Sequence, residues 1–433
     1  MNPLHRNDRP ATYPPSWYAA TAAPGPDRPA LAGDAEADVA ILGAGFTGLW
    51  AAKVLAEKGF KVTLLEAHRV GWGASGRNGG QVGSGYNKPM RWIAARMGEE
   101  KARAVWQVAE DAKAQLRAFC ETHAVEADWK AGVAHGAYSE AEAAEDHAEA
   151  EYLAKTYGYA DAEPMDAARF AELVKSPLYK GGLLDRGAAH IHPLNYALAL
   201  ARAAEAAGAV IHERSEVTAV DTGPRPSLTT AQGVLRAKHL ILAGNGYLPV
   251  IEPHMSARVM PINSFIAATE PLDDPRSVLA EDIAVADSKF VVNYYRFTAD
   301  GRFLFGGRES YGLGFPDDIR GPLVARMTRL FPQLEGVGIS HVWGGTLGIT
   351  MTRLPHLARL GPTTLSAAGF SGHGVALSGM AGRLMAEAVA GQAERFDVMS
   401  ELPVQRFPGG AALRAPLMTL AMSWYAMRDR LGL

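Results

Sequence analysis

The sequence predicts an α/β protein in which a Rossmann-like parallel layer is interleaved with an antiparallel β-sheet. Three observations carry this expectation. Residues Asp38 to Glu66 read as an apolar strand, a glycine-bearing turn, a helix and a second apolar strand. Strand text running into glycines returns at Ala237 to Gly246 and again before Gly369 to Gly374, as crossovers feeding one sheet edge require. Between Val259 and Ser310 the pattern changes to two-residue alternation, with a hairpin turn at Ala299, Asp300 and Gly301.

The first unit is the most informative. Val39 to Leu42 lack polar alternation, which suits a parallel strand covered on both faces. Gly43, Gly45 and Gly48, with Ala44, Phe46 and Thr47 between them, form G-x-G-x-x-G: a tight bend, close backbone approach to a pyrophosphate, and close helix-to-strand packing. The helix from Phe46 to about Lys58 turns its free N–H groups and positive dipole end toward that pyrophosphate, and Gly59 stops it. Lys61 to Leu65 form the second strand. Glu66, followed by Ala67, falls where a carboxylate accepts both hydroxyls of an adenosine ribose and repels a 2′-phosphate, so a non-phosphorylated adenine dinucleotide is expected. In a chain with 46 glycines the motif alone carries little; its flanking elements and the spacing to Glu66 carry the inference.

Residues 1–35 are rich in proline and read as an extended arm, with Ser16, Trp17 and Tyr18 docked on the body. Seven glycines lie between Gly71 and Gly85, as suits a backbone laid against a flat ligand. In this segment Gly73, Ala74, Gly79, Gly80 and Gln81 are candidate cofactor contacts, and Ser75 could donate to a phosphate. Arg77 and Asn78 either reach a ring system or tie the loop down. Met90 to His123 read as one or two amphipathic helices, followed by a strand at Gly132 to Tyr138 and helices at Glu140 to Tyr157 and Ala167 to Val174. From Gly182 a loop bearing His190 and His192 leads into a helix at Leu194 to Ala207, then strands ending at His212 and starting at Val217. The two histidines have no carboxylate or third histidine nearby, so no metal site is expected. Gly244 and Asn245 follow a buried strand at its ligand-binding end. A helix at Pro322 to Leu330 and mixed text at His341 to Leu360 precede a last strand-turn-helix, with its helix at about Val375 to Ala390. Ala415 to Leu433 read as an amphipathic helix that docks on the protein or meets a membrane surface.

Composition narrows the class. The 433 residues carry a formal charge of −3 with both signs interspersed, which gives no electrostatic footprint for nucleic acid. One cysteine, Cys120, precludes an internal disulfide and suits a reducing cytoplasm, where it packs as a small apolar residue. No secretory h-region opens the sequence and no apolar run approaches the roughly 20 residues of a membrane span. Nicotinamide enzymes usually hold their dinucleotide in one contiguous domain. Three glycine turns widely separated in sequence suit the longer grip needed by FAD.

On SWYAAT (Ser16 to Thr21), Gly43 to Gly48, Glu66, GWGASGRNGGQ (Gly71 to Gln81), GNGYL (Gly244 to Leu248), Trp343 to Gly345 with Arg353 and Pro355, and GFSGHG (Gly369 to Gly374), the chain resembles the D-amino-acid oxidase superfamily of FAD oxidoreductases. It is most similar to the gamma-glutamylputrescine oxidoreductase-like branch, a group that also includes oxidases of cyclic imino acids. The resemblance implies an FAD-binding domain (36–124, 190–252 and 341–400) interleaved with a substrate domain (125–189 and 253–340), flanked by the arm and a C-terminal helix at 401–433. It implies oxidation of a C–N bond by hydride transfer to flavin, giving an imine that water hydrolyses. FAD contacts then extend to Val217 and to Gly372, His373, Gly374 and Val375, whose turn is placed to stabilise negative charge on the flavin. The candidate catalytic residues are His373, which contacts flavin or substrate or merely holds its turn, and Arg353, a substrate-facing cation or a surface ion pair.

Two departures qualify the resemblance. Sarcosine-oxidase relatives place a carboxylate-binding lysine just after the GFSGHG-type turn, where this chain has Ala376, Leu377 and Ser378. They also carry an oxygen-activating lysine in the strand matching Arg302 to Gly307, where this chain has Leu304, so the electron acceptor is oxygen or another molecule. Cys120 does not fall where those relatives attach flavin, so non-covalent FAD is expected. The substrate expected is gamma-glutamylputrescine or a related amine; L-pipecolate and D-amino acids are the alternatives, and a non-catalytic or tRNA-modifying flavoprotein is the rival class.

Overall fold

The computed structural model describes residues 2–23, 25–310, 312 and 314–410. The expected Ala415 to Leu433 helix, and all of the 401–433 segment beyond residue 410, lie outside the described residues.

Two sheets organise the chain. The first has eight strands, five of them parallel in the order Thr364–Ala368, Val234–Leu242, Ala35–Leu42, Val62–Leu65 and Val210–His212. Its central strand is apolar because both faces are covered: Val39, Ala40 and Ile41 are wholly buried. Ile41 stands in register with Ile241 on one side and Leu64 on the other. The helix Phe46–Glu57 packs between Pro193–Ala206 and Leu377–Val389. Trp50 donates its indole N–H to the Tyr196 hydroxyl at 2.7 Å, so the polar edge of this aromatic contact is satisfied inside the core. Contact between the first and last of these helices depends on Gly382, where a Cβ would come within 2.0 Å of the Thr47 carbonyl oxygen.

The second sheet runs Ile339–Ile349, Met260–Pro271, Arg302–Ser310, Tyr294–Phe297, Ala284–Asp287, Lys130–Ala137, Gly181–His190, Gln81–Val82, with Ala162–Asp166 also paired to Gly181–His190. It departs from expectation in three ways. Ala284–Asp287 pairs parallel with Lys130–Ala137, so the sheet is not wholly antiparallel. Ile339–Ile349 is its edge strand, antiparallel to Met260–Pro271 with Ile266 opposite Trp343, although the text from residue 341 was expected with the parallel layer. The expected loop bearing His190 is the end of the strand Gly181–His190. Its glycines disguise a strand squeezed between two neighbours, and a Cβ on Gly182 would lie 2.0 Å from the His135 carbonyl oxygen.

Gly98, at φ +84°, divides the 90–123 text into helices Met90–Met97 and Glu99–His123. Cys120 is buried on the second, and burial pushes its thiol up to about 12. The arm is not simply extended: Ser16 caps a short helix, Trp17–Thr21, and Trp17 and Tyr18 are buried on the body. Arg28 fastens it further, donating to Glu205 at 2.6 and 2.8 Å and pairing with the buried Glu213 at 3.4 Å. Among the described residues no helix is long and apolar enough to cross a membrane, and no group of three or more His, Cys, Asp or Glu could hold a metal ion.

Gly382→Ala is expected to lower stability by about 1–3 kcal/mol through overpacking against backbone. A denaturation midpoint equal to wild type would show that the two helices slide apart at no cost.

Candidate functional site

One cavity of about 770 Å³ runs from the end of the parallel strands to the second sheet. It is built first by backbone. Gly48 stands where a Cβ would lie 1.9 Å from the Gly43 carbonyl oxygen, so the turn closes only without a side chain there. Gly45 caps the helix with no side chain of its own, and the Phe46 N–H donates instead to Ser75 Oγ at 3.1 Å. Gly43, Gly45, Phe46, Thr47, Glu66 and Ala67 line the cavity, whereas Ala44 and Gly48 stand behind its wall. A helix N-terminus opening on a cavity is an anion site.

Glu66 closes this end. Its Oε2 accepts from the Ala44 N–H at 2.8 Å and its Oε1 from the His68 N–H at 2.9 Å. Burial outweighs these donors and raises its pKa to about 7. A carboxylate short of donors at a cavity wall fits a ligand bearing hydroxyl groups. The backbone cradle and this carboxylate together fit the adenosine diphosphate half of FAD.

In the glycine-rich segment Arg77 and Asn78 tie the loop down, one of the two roles expected of them, and Gly80 departs from expectation. Arg77 is 3 % exposed and serves as a tie: Nε donates to the Trp72 carbonyl at 2.8 Å, and Nη1 donates to the Gly344 carbonyl at 3.0 Å and pairs with Asp8 at 2.7 Å. Asn78 is also internal, donating to the carbonyls of Ala74 and Ser75 and accepting from the Gly80 N–H. Gly80 lies off the cavity wall, with φ +78° and the Ile191 carbonyl 2.1 Å from where a Cβ would sit. Loop geometry in a glycine-rich chain has to be imposed by side chains, which is what Arg77 and Asn78 do. Gly73, Ala74, Ser75, Arg77, Asn78, Gly79 and Gln81 do line the cavity, as do Val217, Gly244 and Asn245. Gln81 is fixed by its bond to the Val285 carbonyl at 2.8 Å.

The second and third glycine turns are joined by one side chain. Asn245, at φ +43°, accepts the Gly369 N–H on Oδ1 at 2.9 Å and so joins the second turn to the third. In the third turn Ser371 Oγ donates to the Gly369 carbonyl and accepts the Thr350 N–H, and Asn87 donates to the Ser371 carbonyl at 2.7 Å. Gly372, His373, Gly374 and Val375 all line the cavity ahead of the helix Leu377–Val389. His373 packs against Gly83, where a Cβ would come within 2.5 Å of its ring. Burial lowers its pKa, with backbone groups of Ser84 and Gly85 acting in the other direction, and its Nε2 has no hydrogen-bond partner. Arg353 reaches the cavity from a residue at φ +61° and lies over the Phe290 ring at 4.9 Å; the ion pairs among the described residues do not include it. His190 and His192 are structural: His190 is buried, and His192 caps the Pro193–Ala206 helix through the Asn195 N–H at 3.1 Å.

The sequence did not single out Lys88, Tyr159, Asp185 or Tyr294, all of which line the same cavity. Strand alternation around Tyr294 marks one face of a sheet, but nothing local tells which face meets a ligand.

Comparison with known proteins agrees with this geometry. The family described as FAD dependent oxidoreductase (DAO) matches residues 38–388. The chain is 40% identical over 419 residues to "Probable oxidoreductase OrdL" of Rhizobium meliloti, covering 96% of this chain and 97% of that one. It is 37% identical over 420 residues to "Gamma-glutamylputrescine oxidoreductase" of Escherichia coli, covering 96% and 98%. In fold it is similar to glycine oxidase from Geobacillus kaustophilus (TM-score 0.69, 21% identity, 82% of this chain and 95% of that one). It is also similar to L-proline dehydrogenase from P. horikoshii (TM-score 0.70, 19% identity, 86% and 96%). The chain belongs to the FAD-dependent oxidoreductase family; it is an enzyme and its cofactor is FAD.

Glu66→Gln is expected to weaken FAD binding by about 1–3 kcal/mol, the usual loss for hydrogen bonds to a charged group. Donors from a bound ribose favour the ionised carboxylate and hold its pKa below the value of about 7 in the free protein. Affinity of the wild type for FAD should therefore rise as pH rises toward 7 and level off above it. Reconstitution titrations across pH check this, and a wild-type profile matching that of Glu66→Gln would remove Glu66 from the ribose site.

Proposed function

We propose that this enzyme oxidises a C–N bond in a gamma-glutamylated amine, with FAD held non-covalently by the parallel layer and the substrate roofed by the second sheet. Bound FAD supplies the hydride acceptor; binding, orientation and charge compensation fall to the chain. The Escherichia coli relative bears the name of an enzyme of this substrate class.

Arg353 carries the reading. A non-glycine residue at φ +61° is strained, and such strain is retained where the placement of a side chain matters. Its guanidinium is a cation at the cavity wall with an aromatic ring behind it. Lys88 lines the same cavity, and burial together with the Arg353 charge holds its pKa below the ordinary lysine value. Two like charges kept near each other call for an anionic ligand, since a carboxylate leaving water needs such partners. Ala376, Leu377 and Ser378, at the start of the helix Leu377–Val389, supply no cation. The substrate carboxylate is therefore held away from that helix, which favours a long molecule over sarcosine. His373, its pKa lowered by burial, is a neutral imidazole at pH 7 with Nε2 open to one hydrogen bond from substrate or cofactor.

The electron acceptor follows from a second substitution. Leu304 is buried at 2 % exposure where oxygen-activating relatives carry lysine, so no charge is available from that position to stabilise a developing superoxide. We place the enzyme in the cytoplasm, because its single buried cysteine suits a reducing compartment.

Anaerobic flavin reduction by gamma-glutamylputrescine, L-pipecolate, sarcosine and D-alanine tests the substrate. Gamma-glutamylputrescine should be fastest, and Arg353→Ala should weaken its binding by about 1.5–3 kcal/mol. Fastest reduction by sarcosine or D-alanine would refute the argument from Ala376; fastest reduction by pipecolate would mean that Arg353 binds a ring carboxylate directly. For the acceptor, reduced enzyme mixed with oxygen in a stopped flow should reoxidise slowly, and Leu304→Lys should accelerate it. Rapid reoxidation of the wild type would show that another cation does this work.

A further inference from the structure

We propose that Asp185 receives the amine nitrogen of the substrate as an ammonium ion, and that Lys113, Ser84 and Tyr159 hold its carboxylate in place for that purpose. This deepens, and rests on, the amine-oxidising reading above.

Asp185 lies on Gly181–His190 opposite Val133, at a register shift in the pairing with Lys130–Ala137. The irregularity turns two backbone donors back on the side chain. Oδ1 accepts from the Gly187 N–H at 3.0 Å and the Ala188 N–H at 3.2 Å, and the Tyr159 hydroxyl donates to the same oxygen. Three donors on Oδ1 fix the carboxylate and leave Oδ2 to meet a ligand where Asp185 lines the cavity. A pinned carboxylate at a cavity wall is a receptor for a cation.

The support behind it is more costly than a fold needs. Lys113 is 6 % exposed on Glu99–His123, with Nζ 2.6 Å from Ser84 Oγ, 3.2 Å from the Tyr159 hydroxyl and 3.0 Å from Glu110. Tyr159 also bonds Ser84 at 2.9 Å, and burial and the neighbouring Asp185 raise its pKa, so the phenol stays protonated and donates. Burying an ion pair is weak as a source of stability and strong as a means of orienting a neighbour. Trp106, packed edge-on to Tyr159 with centroids 5.2 Å apart, also lines the cavity and supplies an aromatic surface compatible with an ammonium group.

Asp185 and Arg353, both on the cavity wall, approach the third glycine turn at different points. Ser84 and Gly85 pack at His373, which feels both Lys113 and Asp185. Arg353 follows Thr350, whose N–H is bound by Ser371. A substrate with its carboxylate toward Arg353 and its amine toward Asp185 is an elongated zwitterion. The titratable groups around Asp185 are Tyr159, Lys113, Glu110, Asp161 and His373.

The chemistry provides a signature. An ammonium ion must release its proton, to solvent, before its neighbouring C–H bond can give up a hydride, because the nitrogen lone pair drives that step. A carboxylate partner favours the ammonium form and raises the pKa of the bound amine. In anaerobic stopped-flow reduction of the holoenzyme by gamma-glutamylputrescine, Asp185→Asn should raise the apparent Kd about tenfold or more. It should also move the rising limb of the limiting rate to lower pH. Tyr159→Phe and Lys113→Met, which loosen the carboxylate, should raise the apparent Kd by smaller amounts, and they serve if Asp185→Asn does not fold. Reduction by gamma-glutamylputrescine with neither quantity changed in Asp185→Asn would overturn the assignment of Asp185 alone. A wild-type flavin that gamma-glutamylputrescine does not reduce would overturn the functional reading and this inference with it.

Discussion

The structure depends on backbone approaching backbone more closely than any side chain permits. Gly48 lies against the Gly43 carbonyl, Gly43 against the Ala243 carbonyl, and Gly382 against the Thr47 carbonyl. These contacts draw three crossovers, separated by hundreds of residues, onto one sheet edge. The cavity forms where their turns stop, and at that end peptide dipoles attract an anion.

Much of this was legible because it is local. The spacing of Gly43, Gly45, Gly48 and Glu66 encodes a strand, turn, helix and strand within one short stretch, and the observed elements Ala35–Leu42, Phe46–Glu57 and Val62–Leu65 follow it closely. What was not legible required partners. Arg77 reads in the text as either a ligand contact or a tie, and its bonds to Asp8 and Gly344 exist only once the arm and the second sheet have arrived. Gly181–His190 reads as a loop because its apolar alternation is broken by glycines whose purpose is close strand contact. Asp185 carries no motif at all; it is recognisable only from the three donors that converge on it.

The division of labour between the layers explains why the halves of the site differ in how they can be read. The parallel layer binds a ligand through peptide groups, so its requirements appear as glycine spacing. The second sheet and the helix Glu99–His123 place individual side chains at or behind the cavity wall, among them Tyr294, Asp185 and the buried Lys113, and side chains at one site come from anywhere in the chain. A family can therefore keep its cofactor turns while exchanging the residues that choose the substrate.

The N-terminal arm has a consequence for the order in which the molecule can be completed. Asp8 pairs with Arg77, Trp17 bonds Asp300 at 3.2 Å, Asn7 accepts the Phe315 N–H, and Arg77 is itself tied to the Gly344 carbonyl. The arm finds its place only against residues far along the sequence, Asn7 and Phe315 being 308 positions apart. Closure of the glycine-rich segment is thus dominated by long-range contacts and is expected to be slow for that reason. The arm is in this sense a latch, fastening the glycine-rich segment to the second sheet through Arg77.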